Sequence, residues 1–367
     1  MTELVLGIFL VSGGGALLAF LLEMAHKYLA DYGQVEININ GQKVLEVEGG
    51  SPLLSTLAQQ NIFVPSACGG KGTCAACKVR VLEGGGPVLP TESPYLSPEE
   101  LEGRVRLSCQ VKVRNALAIE IPEELFLVRE FKVRVESIDD LTPRIKGITF
   151  HVLEPAEGIT FKPGQYVQLE VPRYEKSAAP EFRAYSLASG AHEGRRMDLY
   201  ITKVEEGVVS TYVHEKLQVG EVLTARGPFG DFFYRHTDRD LLLIATGSGL
   251  APIRSICLHL EQIQADRQVT MFFGARDEED LFNHEELQQL RERLPNFTYV
   301  PVLSRVPEDS PWDGERGRVT DLIKKHIPDG AELDVYICGA PPMVESCEDL
   351  LVKKGISPAN IYYDKFA

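Results

Sequence analysis

Apolar and polar residues alternate with a period of two over Val35–Asn40 and again over Gln42–Val47, and Asn40-Gly41 between them is a hairpin turn signal. Ser51 and Pro52 read as N-cap and first residue of a short helix to about Gln60. Strand periodicity returns at Lys78–Leu82, and Ser97-Pro98-Glu99-Glu100 is a capping box for a second short helix. Cys109–Val113 and Leu117–Ile121 then predict another strand pair. Two hairpins around a helix make a small β-grasp-like unit over 31–128.

From Arg129 the rhythm changes to short alternating strands separated by Gly/Pro turns: Phe131–Ser137, Ile148–Val152, Tyr166–Val171, Met197–Val204 and Val222–Ala225. That pattern predicts an antiparallel barrel over 129–237. Over 238–367 it changes again. Leu241–Thr246 is a continuous apolar strand followed by a helix to about Ile263. Strands Val269–Phe273, Thr298–Leu303 and Val335–Cys338 alternate with helices Glu285–Arg293, Val319–Ile327 and Pro341–Lys354. Alternating β and α predict a doubly wound parallel sheet.

Ahead of all this lies Leu4–Leu22, 19 residues without a charge, long enough to span a bilayer. Met1–Glu3 lacks the basic residue of a cleavable signal and Glu23–Lys27 lacks a small-residue cleavage site. The segment 1–30 is therefore expected to be a transmembrane anchor. His26 and Lys27 after the run place the rest of the chain on the cytoplasmic side, giving a single-pass protein of the cell inner membrane. A net charge of −15 argues against nucleic acid as a partner.

The chemistry begins at Ser66–Cys77, which reads S-A-C-G-G-K-G-T-C-A-A-C. Cys68, Cys74 and Cys77 fall within ten residues, and Cys109 follows with 31 residues between. This C-x5-C-x2-C run plus a distant fourth cysteine is a variant of the plant-type [2Fe–2S] spacing. A structural zinc site normally wants two C-x2-C knuckles, and only one is present. Gly69, Gly70 and Gly72 leave backbone N–H groups free to approach buried sulfurs.

Arg183-Ala184-Tyr185-Ser186 offers a guanidinium for a pyrophosphate, an aromatic face for a ring and a hydroxyl for the ring's edge. Gly207–Thr211 precedes a helix predicted over Tyr212–Leu217, which Ser210 or Thr211 can cap and whose free N–H groups suit a phosphate. Gly227-Pro228-Phe229-Gly230 reads as a tight turn closing the barrel. Gly247, Gly249 and Pro252 lie in T-G-S-G-L-A-P, between a strand and its helix, where a backbone can approach a dinucleotide pyrophosphate. Cys338 and Gly339 repeat that geometry at a later strand. Asp277, opening the acidic run Asp277–Asp280, would accept from a ribose hydroxyl and repel a 2′-phosphate, which favours NADH over NADPH. Cys257 and Cys347 lie within predicted helices and read as small buried residues, and the histidines show no metal-ligand spacing.

Arg183–Ser186, Gly207–Thr211, Gly227–Gly230, Gly247–Pro252, Cys338–Met343 and Asp364-Lys365-Phe366 together resemble the ferredoxin–NADP reductase superfamily of FAD-dependent reductases. The order of anchor, [2Fe–2S] domain, FAD domain and NAD domain, with Trp312-Asp313-Gly314, resembles the F-subunit family of Na+-translocating NADH:quinone oxidoreductases. The resemblance implies that Arg183 binds the FAD pyrophosphate, Tyr185 packs on the isoalloxazine and Ser186 hydrogen-bonds near its N5. It also implies Cys338 beside the nicotinamide and Phe366 over the flavin face. One feature departs from that family: only ten residues separate Pro172 from Arg183, where the F subunits carry a long insertion.

The expected protein has four parts: a transmembrane helix, a β-grasp ferredoxin domain, an antiparallel β-barrel FAD domain and a doubly wound α/β NAD domain. It passes electrons from NADH through FAD and the cluster to an acceptor. Two contexts stay open. One is the electron-entry subunit of an ion-pumping quinone reductase, with other membrane subunits as partners. The other, favoured by the short Pro172–Arg183 segment, is a reductase feeding a membrane di-iron oxygenase or desaturase.

Overall fold

Asn40 and Gly41 both take positive φ (55° and 68°), the backbone of a type I′ turn, and they lie in the link that joins β1 (Gln34–Ile39) to β2 (Lys43–Glu48). The computed structural model containing this hairpin describes residues 12–20, 24, 32–307 and 309–366. Those residues divide into two compact units, one ending at Leu127 and the other beginning at Val128.

In the first unit, α1 (Leu53–Gln59), β3 (Lys78–Glu83), α2 (Pro98–Glu102), β4 (Val105–Leu107) and β5 (Leu117–Glu120) follow the hairpin. The sheet order is β2-β1-β5-β3-β4, with β1 and β5 parallel and the other pairs antiparallel. This is the β-grasp arrangement, and Ile37, Ile39, Leu53, Leu57, Leu107 and Ile119 fill its core. The predicted capping box is present, with Glu100 N donating to Ser97 Oγ (3.2 Å) and Ser97 N to Glu100 Oε2 (2.9 Å). Two local expectations need correction. Pro52, not Ser51, is the N-cap of α1, because Pro52 itself is still extended (ψ 143°) and no side chain caps the helix. Cys109 does not open a strand: β4 has already ended at Leu107, and residues 108–113 are held by the bridge Pro52↔Lys112 and by irregular backbone hydrogen bonds, such as Leu53 N to Val111 O (2.7 Å) and Val113 N to Ser51 O (2.9 Å).

The second unit holds two layers of structure. Strands β6 (Arg129–Thr142), β7 (Ile145–Glu154), β8 (Tyr166–Val171), β9 (Glu181–Ser186), β10 (Arg196–Thr202) and β11 (Val222–Phe229) pair in the order β10-β7-β6-β11-β8-β9. The bridge Leu187↔Leu199 brings the two outer strands together, closing the barrel around Val133, Phe150, Val167, Leu169 and Leu199. The helix α3 is Val208–Glu215, four residues earlier than expected, and Gly207 is its N-cap. Gly227-Pro228-Phe229 belongs to β11 with an irregular register, so it is a bulged strand end and not a tight turn.

Strands β12 (Asp240–Thr246), β13 (Val269–Ala275), β14 (Phe297–Leu303), β15 (Glu315–Arg316), β16 (Leu333–Gly339) and β17 (Ile361–Lys365) form a wholly parallel sheet, β15-β14-β13-β12-β16-β17. Helices α4 (Leu250–Gln262), α5 (His284–Arg293), α6 (Val319–His326) and α7 (Pro341–Lys353) cover its faces. The neighbours of β12 are β13 on one side and β16 on the other, so strand order reverses there and a crevice opens at the carboxyl ends. The expected anchor Leu4–Leu22 lies largely outside the described residues. Within it, 12–20 are helical, with Leu17, Leu18 and Phe20 exposed. Among the described residues no helix is long and apolar enough to cross a membrane.

Candidate redox site

The four clustered cysteines are brought together in one loop system of the β-grasp unit. Gly69, Gly70 and Gly72 all have positive φ (69°, 83° and 77°), so the loop curls and turns its amides inward. Cys68 N donates to Cys74 Sγ at 3.4 Å. Burial raises the Cys68 thiol, but the Thr73 N–H and the bond with Cys74 outweigh it and bring the group down to about 6. Cys77 and Cys109 form the second pair: their mutual hydrogen bond lowers Cys109 to about 7 and, with burial, pushes Cys77 far above the usual range. Among the described residues no three metal-ligating side chains converge on one ion. Two thiol pairs lined by backbone N–H donors suit a binuclear rhomb and not a lone zinc, so these residues fit a [2Fe–2S] centre.

In the second unit β9 carries the predicted flavin motif along one strand. Glu181 to Tyr185 are all partly exposed, and Ser186 is buried where β9 meets Tyr166 of β8. A strand that neighbours leave half covered along this length fits a bound planar cofactor. The Arg183 guanidinium is steadied by Glu181 (3.1 Å) and by the carbonyl of Phe182 (2.6 Å). The Tyr185 ring packs against the barrel core, and burial pushes its phenol above the usual range.

The N-terminus of α3, which packs on β8, β9 and β10, has no side-chain cap. Ser210 and Thr211 are not the caps expected of them. Both are buried inside the helix, and Ser210 Oγ instead accepts from Val204 N (3.1 Å). What α3 presents is therefore a bare first turn behind Gly207.

The crevice beside β12 assembles the remaining motifs. A Cβ at Gly249 would lie 2.4 Å from the Cys338 carbonyl oxygen, and one at Gly339 (φ 154°) would lie 2.3 Å from Thr246 Oγ1. Only glycines allow these two strand ends to meet. Gly247 (φ 54°) turns the backbone into the short 3-10 segment before α4, while Pro252 is buried in the first turn of α4. From the barrel, Thr202 Oγ1 of β10 donates to Ser248 Oγ (2.8 Å).

Cys338 is fully buried, and burial together with Asp364 holds its thiol well above the usual range, so it stays protonated. The strand β17 places Asp364 opposite Cys338 and Lys365 opposite Gly339, and Phe366 N donates to Gly339 O at 2.9 Å. Phe366 is thereby tied to the same crevice. Asp277 lies exposed after β13, where its carboxylate accepts from Asp280 N (3.2 Å). Trp312 donates from Nε1 to Glu315 O (3.0 Å) in the segment leading into β15. Cys257 and Cys347 are buried in α4 and α7.

Two features are not legible in the spacing of the motifs. Asp364 stands in the sequence only as part of a C-terminal motif, and nothing in the pattern predicts β17. Arg254 on α4 is the other. Its Nη1 donates to Ala188 O (2.7 Å), two residues beyond Ser186, while Nη2 binds Glu286 (2.7 Å) and Nη1 faces Asp198 (3.4 Å). Its place one turn into the helix that the glycines begin is the signal that could have found it.

A barrel with a flavin-type strand, a parallel sheet with a glycine crevice and a loop of paired thiols define an NADH-dependent flavin and iron–sulfur oxidoreductase. Residues 35–114 match the 2Fe-2S iron-sulfur cluster binding domain, 132–234 the oxidoreductase FAD-binding domain and 243–349 the oxidoreductase NAD-binding domain. The chain is 34% identical over 407 aligned positions to the F subunit of the Na(+)-translocating NADH-quinone reductase of Methylococcus capsulatus, covering 100% of both. Identity to the same subunit from Neisseria meningitidis is also 34%, over 99% of both chains. The chain belongs to this F-subunit family.

Since 407 − 367 = 40, gaps on this side of the alignment with the Methylococcus protein total about 40 positions. In three dimensions it is similar to an Amycolatopsis cytochrome P450 reductase, with a TM-score of 0.74, 28% identity and coverage of 90% of this chain and 98% of that one. It is also similar to the ferredoxin reductase in carbazole 1,9a-dioxygenase, with a TM-score of 0.69, 25% identity and coverage of 91% and 99%.

Proposed function

We propose that this chain is the electron-entry subunit of a Na+-translocating NADH:quinone oxidoreductase, anchored in the inner membrane by its N-terminal apolar run with its redox domains on the cytoplasmic side. The observation that carries this reading is the end-to-end match to the F-subunit relatives, which includes the N-terminal segment ahead of the three redox domains. Exposed Leu17, Leu18 and Phe20 on the helical stretch 12–20 support an anchor whose surroundings are lipid or partner helices.

When bound, FAD supplies two-electron hydride chemistry with one-electron release, and the [2Fe–2S] centre supplies single-electron carriage. Arg183 and the uncapped first turn of α3 hold the flavin pyrophosphate by charge and by N–H donors. Tyr185 would pack on the isoalloxazine, and the buried Ser186 hydroxyl would hydrogen-bond at the ring's edge. Ser210 and Thr211 shape the helix that carries those donors. Gly247 and Gly249 let the backbone approach the NADH pyrophosphate, and Pro252 lies in the first turn of the helix behind it. Asp277 accepts from the adenosine ribose. Cys338 and Gly339 line the nicotinamide end, where a protonated thiol offers bulk without charge. Phe366, tied to Gly339 at the end of β16, would cover the flavin.

Extraction of the native membrane in mild detergent tests the context. Co-purification with integral membrane subunits, and Na+-stimulated quinone reduction by NADH, are the expected results. Recovery instead with a di-iron oxygenase component would overturn the pump reading while leaving the reductase chemistry in place.

A further inference from the structure

Beside the fourth thiol of the cluster loop sits an amide that has no part in the flavin or nucleotide sites. Gln110 Nε2 lies 3.5 Å from Cys109 Sγ, and Thr91 Oγ1 donates to Gln110 Oε1 at 3.0 Å. A Cβ at Gly72 would come within 2.7 Å of Gln110 Nε2, so the glycine at that position is what admits the amide against the loop. Thr91 is itself placed by a buried ion pair. Glu92 is fully buried and receives Arg106 Nη2 (2.6 Å), Leu89 N (3.0 Å) and Leu107 N (3.0 Å). The same arginine donates to the carbonyls of Gly85, Gly86 and Pro87 (2.9, 2.9 and 3.0 Å), fixing the segment that ends at Thr91.

We propose that Gln110 is a positioning residue that raises the reduction potential of the [2Fe–2S] centre by donating its side-chain N–H to the Cys109 sulfur, with Thr91 holding the amide in that orientation. The inference rests on the assignment of the cluster to Cys68, Cys74, Cys77 and Cys109. A metal-bound cysteine sulfur carries no proton and can only accept, so the amide must turn its NH2 toward it. That leaves Oε1 facing away, where the Thr91 hydroxyl satisfies it. Added electron density resides partly on the sulfurs, so an N–H donor stabilises the reduced centre more than the oxidised one. Cys109 itself is buried, so this difference is larger at its sulfur than at an exposed one. Removing the donor therefore makes the centre harder to reduce.

The test is redox titration of the full-length protein, followed by the cluster's EPR signal, for Gln110→Leu and Thr91→Val. Both should keep about two irons and two sulfides per chain. At a fixed poise, Gln110→Leu should lower the ratio of reduced to oxidised centre by about threefold to tenfold, tenfold being about 59 mV for a one-electron couple. Thr91→Val should move it in the same direction by less. The flavin midpoint and the rate of flavin reduction by NADH should not change. Intact iron content with an unmoved cluster midpoint in both variants overturns the inference. If Gln110→Leu loses iron, Thr91→Val decides alone, and an unmoved midpoint there overturns it. A wild-type protein lacking iron and sulfide would instead overturn the cluster assignment beneath it.

Discussion

Burial pushes the Asp364 carboxyl up to about 6, although the Lys365 N–H works in the opposite direction. Its position opposite Cys338 puts this titration in the crevice beside β12. The folded-state value is above the ordinary 3.8, so the folded protein binds this proton more tightly than the unfolded chain does. The ionised group costs stability above about pH 6, and the cost disappears as pH falls from there toward 3.8. Asp364→Asn should therefore raise the thermal midpoint at pH 8 and confer no gain near pH 4. Flavin reduction by NADH, followed by stopped flow, should show a step near pH 6 in the parent and none in the variant. A variant with the parent's pH profile would remove Asp364 from the site. The acidic motif residue is visible in the sequence, but its burial is not, because burial comes from the strand pairing of β16 with β17.

At the scale of elements, α4 and β10 are joined by a charged seam. The Arg254 side chain is 14% exposed and Asp198 is 7% exposed, and Asn283 adds bonds to Glu286 (2.6 Å) and Tyr200 (2.9 Å). Arg254 thus ties the helix that follows Gly247 and Gly249 to β10 through Asp198 and to the chain just beyond β9 through the Ala188 carbonyl. Arg254→Ala would leave Glu286 without its cation and Asp198 with Arg196 alone (2.9 Å), at about 1–3 kcal/mol of stability. Chemical denaturation measures this. Arg254→Lys keeps the charge but loses the fork, so it should restore much of the stability while NADH-dependent flavin reduction stays several-fold slow. Full recovery of rate by lysine would show that charge alone matters at this seam.

Over the whole molecule the hydride and single-electron functions reside in separate units. The FAD and NAD modules lie within 128–367, and the thiol loop lies within the unit that ends at Leu127. Cys77→Ala should abolish electron delivery to one-electron protein acceptors by at least tenfold. NADH-dependent ferricyanide reduction, which needs only the flavin unit, should be retained. Loss of both activities, with FAD content unchanged, would show that the two units depend on each other for hydride uptake.

The sequence by itself determined the order of the three redox modules, the grouping of four cysteines, the strand at Arg183–Ser186 and the glycine turns at the carboxyl ends of the parallel sheet. Each is written in local spacing or periodicity, which side-chain chemistry reads directly. Its errors were local and have local causes. Helix α3 begins at Val208 because Ser210 turns its hydroxyl back to Val204, and a polar residue near a helix start does not say which way it will bond. Cys109 follows a strand instead of opening one because β4 takes up Val105–Leu107 by pairing with β3. Only the tertiary structure decided what sits opposite what: Asp364 by Cys338, Gln110 Nε2 by Cys109 Sγ, Arg254 by the Ala188 carbonyl. Those contacts join residues that are 26, 1 and 66 positions apart in the chain. The chain's periodicity specifies faces and elements, whereas sheet register and packing choose the partners.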